Sequence, residues 1–380
     1  MKDLNHQRSD PKVPNDHFHR LQVWFLGIIA FAVILFLLVQ AKFLLISLAI
    51  AIMLFSLTAD AIGYLQRLRI GEAKFSVGVA SALAVAFIAS VLISISAIIL
   101  SQANTIVQTV MQYAEPAQLA VAGLFSWMGE EVESSVLEWL RGVRLGPWLT
   151  TMAGQAGNIA SGAVLVTLFV GFLFLERVWF SRKLSSLMGD AERAEQAERI
   201  ISSIMHRLNR YLVVKAIISS VTGALVYSVM RIFGLELAFS MGVLAFVLNF
   251  IPNIGSIVAT LAVALVAYVQ TTETLTSFVV FAIIGGIQFV VGQVIDPLML
   301  GRALRLSSLG IIASLAFWAV VWGVPGMFLA VPIMVSVMIV CSHIPGLRPV
   351  AVLLSREGLP DTELRLSENQ RLKAPDGEQL

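Results

Sequence analysis

The sequence predicts an all-α polytopic membrane protein, and three observations carry that prediction. Hydrophobic residues make up 58% of the chain and charged residues 13%, where soluble domains average about 45–50% and about 25%. The charges gather into a few stretches and leave several uncharged runs that meet or exceed the roughly 20 residues a helix needs to cross a bilayer. Two of these runs, Leu237–Thr272 and Leu306–Leu347, are too long for one comfortable span and contain residues that break helices. The expected architecture is about six full spans plus two broken or re-entrant helical hairpins, or eight spans if each broken stretch crosses once. The net charge of +2 adds little to this; the placement of the charges adds more.

Residues 1–20 are polar and mixed in charge, with Lys2, Arg8, Lys12 and Arg20 against Asp3, Asp10 and Asp16. They read as a disordered cytoplasmic tail. His6, His17 and His19 have no patterned acidic or cysteine partners, so no metal site is expected there. The region 21–100 holds three spans, Leu21–Ala41, Phe43–Ala59 and Phe75–Leu100. No small-residue cleavage site follows the first, which therefore reads as a retained span and not a removable signal. Basic residues collect on the cytoplasmic side, so the loop with Arg67, Arg69 and Lys74 is expected inside, and the N-terminus with it.

The segment 101–155 carries Arg141 and Arg144 against Glu115, Glu130, Glu131, Glu133 and Glu138, which suits an extracytoplasmic location. Val132, Val136, Leu137 and Leu140 recur at helical spacing, with Trp127, Trp139 and Trp148 in the same segment. Amphipathic helices on the membrane surface and a compact cap packed on its own apolar face are both open readings.

The transmembrane transport region is placed at 156–354. Gly154, Gly157, Ser161 and Gly162 open the fourth span, which runs to Leu175, and small residues at that spacing let helices approach closely. The basic cluster Arg182, Lys183, Arg193, Arg199, Arg207 and Arg210 should be cytoplasmic. An amphipathic helix is expected over 190–210, with Asp190 as N-cap and an apolar stripe through Ala197, Ile200, Ile201, Ile204, Met205 and Leu208. Glu195 and Arg199 can pair one turn apart. The fifth span, Tyr211–Met230, has Lys215 near its inner end, from where it can snorkel to the interface. Ser219–Gly223 offers a second small-residue face for contact between copies.

Within Leu237–Thr272, Pro252 lacks an amide hydrogen and crowds the preceding turn. Asn249 and Asn253 flank the break with polar groups, and Gly255 follows. Gly323, Pro325 and Gly326 interrupt the later run in the same manner. Discontinuous apolar segments in corresponding places point to a transporter's binding site; ordinary spans joined by tight turns are the alternative. On the span Thr274–Ile295, Gly285, Gln288, Gly292 and Asp296 fall on one helical face, with Gln293 and Pro297 beside them. Carboxylates near membrane depth mark ion or proton paths, although Asp296 can instead pair with Arg302 or cap a turn. Trp318 is expected to pack.

The doubled-back reading places Glu273 outside, and Arg302, Arg305 and the disordered tail 355–380 inside. Cys341 sits in an apolar run and reads as an inert thiol. No Gly-x-x-x-x-Gly-Lys-Ser/Thr loop occurs, so this chain has no ATP site of that kind. No catalytic grouping, cofactor, metal or nucleic-acid partner is implied.

The run from Phe239 through Asn249-Phe-Ile-Pro-Asn-Ile-Gly255 to Ile257 resembles the most recognisable block of the AI-2E family of bacterial membrane proteins. Gln293-Val-Ile-Asp-Pro-Leu-Met-Leu-Gly-Arg302, Ser314–Trp318 and Gly323–Pro332 resemble its second block in order and spacing. Asp296 stands where members often carry Glu, which keeps the carboxylate but shortens its reach. The resemblance implies a multi-pass permease of the bacterial inner membrane with cytoplasmic termini, embedded in the lipid bilayer as a homo-oligomer, a pentamer being the candidate stoichiometry. It implies an exporter of a small polar metabolite such as autoinducer-2, or alternatively a sodium (cation)/proton antiporter. The expected substrate pathway is Asn249, Pro252, Asn253, Gly255, Gln288, Gly292, Gln293, Asp296, Pro297, Gly323, Pro325 and Gly326. Its neutral amides suit a polar uncharged solute or a partly dehydrated cation, whereas antiport requires Asp296 to titrate.

Overall fold

The computed structural model describes residues 15–67, 77–123, 125–142, 145–271, 274–300, 306–356 and 358. Residues 1–14 of the expected tail 1–20, residues 357 and 359–380 of the expected tail 355–380, the basic positions Arg69 and Lys74, and Glu273, Arg302 and Arg305 lie outside the described residues. The described residues are helical nearly throughout, and eight helices are long and apolar enough to cross a membrane.

Helix α1 (Asn15–Gln40) begins ahead of the apolar run, so the end of the polar N-terminal stretch is helical. It continues towards α2 (Lys42–Arg67) with helical bonds on both sides of Ala41, from Ala41 N to Leu37 O and from Leu45 N to Ala41 O, both 2.9 Å. The side chains of α1 are exposed along nearly its whole apolar length, Trp24 and Phe31 among them. Its end is fastened by Trp322 Nε1, which donates to Leu38 O at 3.0 Å.

Helix α3 (Val77–Gly123) has 47 residues and is therefore about 70 Å long. Only Gly78–Gln102 is apolar enough to span. The remainder runs on past Ser101 to Gly123, so the segment 101–155 starts as an unbroken extension of a span. Helix α4 (Glu130–Gly142) turns Val132, Val136, Leu137 and Leu140 inward to half-burial and packs on α3, where Gln118 Nε2 donates to Leu140 O at 3.3 Å. That is the compact arrangement, in which the apolar face of α4 is met by protein; Trp127 and Trp139 stay exposed. Helix α5 (Leu145–Glu176) returns along α3 and also packs on α2.

After the short α6 (Phe180–Met188), Gly189 takes a left-handed φ of 65° and ends the turn. Helix α7 (Ala191–Ile232) follows, and the Asp190 side chain accepts from Glu192 N at 3.0 Å as an N-cap. Arg199 and Glu195 pair at 2.7 Å. The expected interfacial helix 190–210 and fifth span are one continuous helix, because nothing at Arg210–Tyr211 breaks the backbone and one buried stripe runs through both. That stripe is Ile204, Leu208, Tyr211, Lys215, Ile218, Ser219, Thr222, Val226 and Met230, at the three- and four-residue spacing of a single face.

The two broken stretches wrap this stripe. Helices α8 (Ala238–Leu248) and α9 (Ile254–Thr271) form the first hairpin. Helix α10 (Thr274–Val290) packs along α9 and passes through a π turn, Val291–Ile295, into α11 (Asp296–Leu300). Helices α12 (Ser308–Trp322) and α13 (Val324–His343) form the second hairpin, with α14 (Arg348–Leu354) folded back on α13. Both stretches double back, because each open end is closed by a hydrogen bond. Glu236 N donates to Gln270 Oε1 at 2.8 Å in the first, and Ser307 N to Leu354 O at 2.8 Å in the second.

The hairpins point at each other along α7. The open end of the first shares a core with Val226 and Met230, and the second shares one with Ile204, Leu208 and Tyr211. Their tips meet where Phe250 stacks on Phe328, ring centroids 4.7 Å apart and 30° from parallel. Ile251 packs with Leu315 and Ala330 beside that stack. Each tip needs its glycine: a Cβ on Gly255 would overlap the Leu248 carbonyl, and one on Gly326 the Trp318 carbonyl.

Candidate functional site

A cavity of about 530 Å³ opens where the first hairpin's tip, α7 and the end of α10 converge. The helix break makes its polar side. Pro252 cannot continue the α8 backbone, Asn253 turns with a left-handed φ of 60°, and Asn249 donates from Nδ2 to Ser219 Oγ at 3.0 Å. Gly285, Gln288 and Gly292 from α10 and the π turn, with Gln293, Asp296 and Pro297, make the facing wall. Their common face, read from helical spacing, is therefore the one that meets the cavity. Pro297 has no amide hydrogen, and the π turn holds Asp296 N to Val291 O just before it.

The structure brings Asn249, Pro252, Asn253, Gln288, Gly292, Gln293, Asp296 and Pro297 into one lining. Gly255 sits behind it, in the close approach to Leu248. Gly323, Pro325 and Gly326 do not line the cavity; their hairpin contributes Ile311 and Val331 instead. Trp318 packs, its ring 4.4 Å from that of Trp322 and 5.2 Å from that of Phe317.

Lys215 departs most from expectation. It does not snorkel: its side chain is 3% exposed, and Nζ donates to Asp296 Oδ2 at 2.6 Å. The reason is cover from both hairpins: the second packs on α7 at Ile204, Leu208 and Tyr211, the first at Val226 and Met230. At 1.5 Å per residue, Lys215 lies about 16 Å from Ile204 and about 22 Å from Met230, near the middle of the covered length. Asp296 accordingly has its charge partner on α7. The small face Ser219–Gly223 is also spent within the chain, since a Cβ on Gly223 would come within 2.7 Å of Gly242 O on α8.

Several polar atoms in this lining are buried without a hydrogen-bond partner among the described residues: Gln288 Nε2 and Oε1, Asp296 Oδ1 and the Tyr211 hydroxyl. Buried groups of this kind usually find protein or water partners, and each orphan costs about 1–3 kcal/mol. Their concentration around one cavity equips it to hold a molecule rich in hydroxyls, amides or carbonyls. Tyr211 and Ser219 were not legible as site residues. The available signal was Lys215 itself, a lysine on the buried stripe of α7 that has to find an acid.

Known proteins resemble this chain over most of its length. A family described as AI-2E family transporter matches residues 26–346. The AI-2 transport protein TqsA of Escherichia coli (strain K12) is 35% identical over 211 residues, covering 54% of this chain and 59% of that protein. A putative transport protein of Borreliella burgdorferi is 30% identical over 212 residues, covering 55% and 58%. One of Haemophilus influenzae is 30% identical over 198 residues, covering 52% and 57%. The chain spans less than two thirds of the length of each of these relatives.

Proposed function

The chain belongs to the AI-2E transporter family, and from that premise we propose that it exports a small polar metabolite across the bacterial inner membrane, with autoinducer-2 as the candidate solute. The cavity carries this reading: a space of about 530 Å³ at the meeting point of two broken hairpins, lined by amide, carboxylate and hydroxyl atoms without partners among the described residues. Broken helices place such groups where a solute can exchange water for protein partners. The name of the Escherichia coli relative, AI-2 transport protein, supports the choice of solute. Liposomes containing the purified protein and loaded with autoinducer-2 should release it faster than protein-free liposomes loaded in the same way. Release no faster than through lipid alone would overturn the choice.

One observation favours cation/proton exchange as the second reading: Asp296 Oδ1 is buried and has no partner among the described residues, as a cation ligand would be. Against it, Oδ2 is already held by the Lys215 ammonium. Sodium-dependent proton movement in the same liposomes, without metabolite release, would make exchange the better reading.

The distribution of basic residues supports cytoplasmic termini, with the first hairpin open to the outside and the second to the inside. In a Cys341→Ser background, Glu236→Cys should label from outside and Leu353→Cys from inside with impermeant reagents; the reverse pattern would invert the topology. A homo-oligomer, with a pentamer as its expected size, should survive native mass spectrometry in mild detergent, whereas a monomer mass across detergents would count against it.

A further inference from the structure

We propose that the Lys215–Asp296 pair is the charge filter of this path, keeping the cavity electroneutral and so selecting solutes without net charge. The proposal rests on the reading of the cavity as the solute path. Among the described residues that line it, Lys215 and Asp296 are the two with formal charges. They come from different elements, α7 and α11, and meet at 2.6 Å in the cavity wall.

A pair that served only as a staple would have little reason to face a cavity with capacity to spare. Buried ion pairs are weak stabilisers, and well-packed apolar residues often replace them without loss. Here Asp296 Oδ1 has no partner among the described residues, and the Lys215 ammonium has three donors, of which the structure gives one to Asp296. An entering solute therefore meets both a donor and an acceptor that are charged yet cancel.

An ion entering at this depth loses hydration and needs an opposite charge to replace it. A cation at Asp296 must sit beside the Lys215 ammonium, and an anion at Lys215 must sit beside the carboxylate. Each is repelled by the group that neutralises its own site. A polyhydroxylated solute donates a hydroxyl hydrogen bond to Asp296 and accepts one from Lys215 without that penalty, and the Gln288 amide can bond either kind of group. A zwitterion matches both charges at once. The class selected is thus net-neutral and polar.

The test is flux through liposomes containing the full chain, with three probes of similar size: erythritol, choline and threonate. Wild type should pass erythritol in preference to both ions. Lys215→Met leaves the wall negative and should raise the choline-to-erythritol ratio by about tenfold or more, while Asp296→Asn should do the same for threonate. The double variant restores neutrality and should return to the wild-type ranking. The charge swap, Lys215→Asp with Asp296→Lys, should also keep that ranking and serves as the test where a single variant does not fold. Flux with one unchanged ranking in every folded single variant, or a swap that loses the ranking, overturns the filter alone. Flux of none of the three probes by wild type or any variant overturns the path on which the filter rests.

Discussion

The two helix breaks use one backbone device for different ends. At both, a proline followed within three residues by a glycine interrupts an apolar run, and the glycine lies against a carbonyl where a Cβ has no room. The first break surrounds itself with amides: Asn249 bonds Ser219, and Asn253 lines the cavity. The second is apolar around its turn, and the polar group next to it, the Trp322 indole, turns away to hold Leu38 at the end of α1. A broken helix by itself therefore makes a close-packed tip; the side chains around it decide whether that tip handles solute or anchors structure.

The comparison is broken most directly at the glycines. Gly255→Ala and Gly326→Ala should each cost about 4 kcal/mol or more, the range reached when a buried backbone has to move, and both should lower the yield of monodisperse protein. Tolerance of one but not the other would show that the tips are not equivalent. Next in size is the ion pair beside the first break. Lys215→Met or Asp296→Asn alone should cost about 3 kcal/mol by leaving one buried charge unpaired, with much of the loss recovered in the double variant. Thermal unfolding in detergent measures the cycle, and additive losses would mean that the two groups do not depend on each other.

A smaller effect separates function from packing. Asn249→Ala should reduce solute flux about tenfold, the equivalent of one polar partner withdrawn from the path, whereas Phe328→Leu at the opposing tip should change it by less than about twofold. Equal losses would erase the distinction between a polar tip and an apolar one. The smallest expected change is Trp322→Phe, about 1 kcal/mol for a single hydrogen bond. It should loosen the end of α1, read as faster amide exchange near Leu38, and leave flux unchanged.

Much of this arrangement was legible in the sequence because the breaks are local. Pro252 between two asparagines, and Gly323 to Gly326 inside an uncharged run, announce themselves without tertiary information. The face shared by Gly285, Gln288, Gly292 and Asp296 follows from helical geometry alone, and all four line the cavity. What could not be read were the long-range pairings. Lys215 and Asp296 are 81 positions apart, and the lysine's depth depends in part on a hairpin that enters the sequence nearly a hundred residues later. The unity of α7 was hidden for a related reason. Its charged first half looks like a helix at an interface until the apolar face is seen to continue into the span. Likewise, the small residues near Gly223 have the spacing of a contact between copies, and only the fold assigns that surface to Gly242.

The hydrogen bonds that close the open ends of the hairpins bear on how the protein is made. A segment whose two ends emerge on the same side can enter the bilayer as a loop, so no charged chain beyond it has to be carried across. With Ser307 bonded to Leu354, the two ends of the second hairpin lie together, and its helix α13 can dock against α7 after the earlier spans are in place. The clasp is thus an assembly instruction as well as a contact.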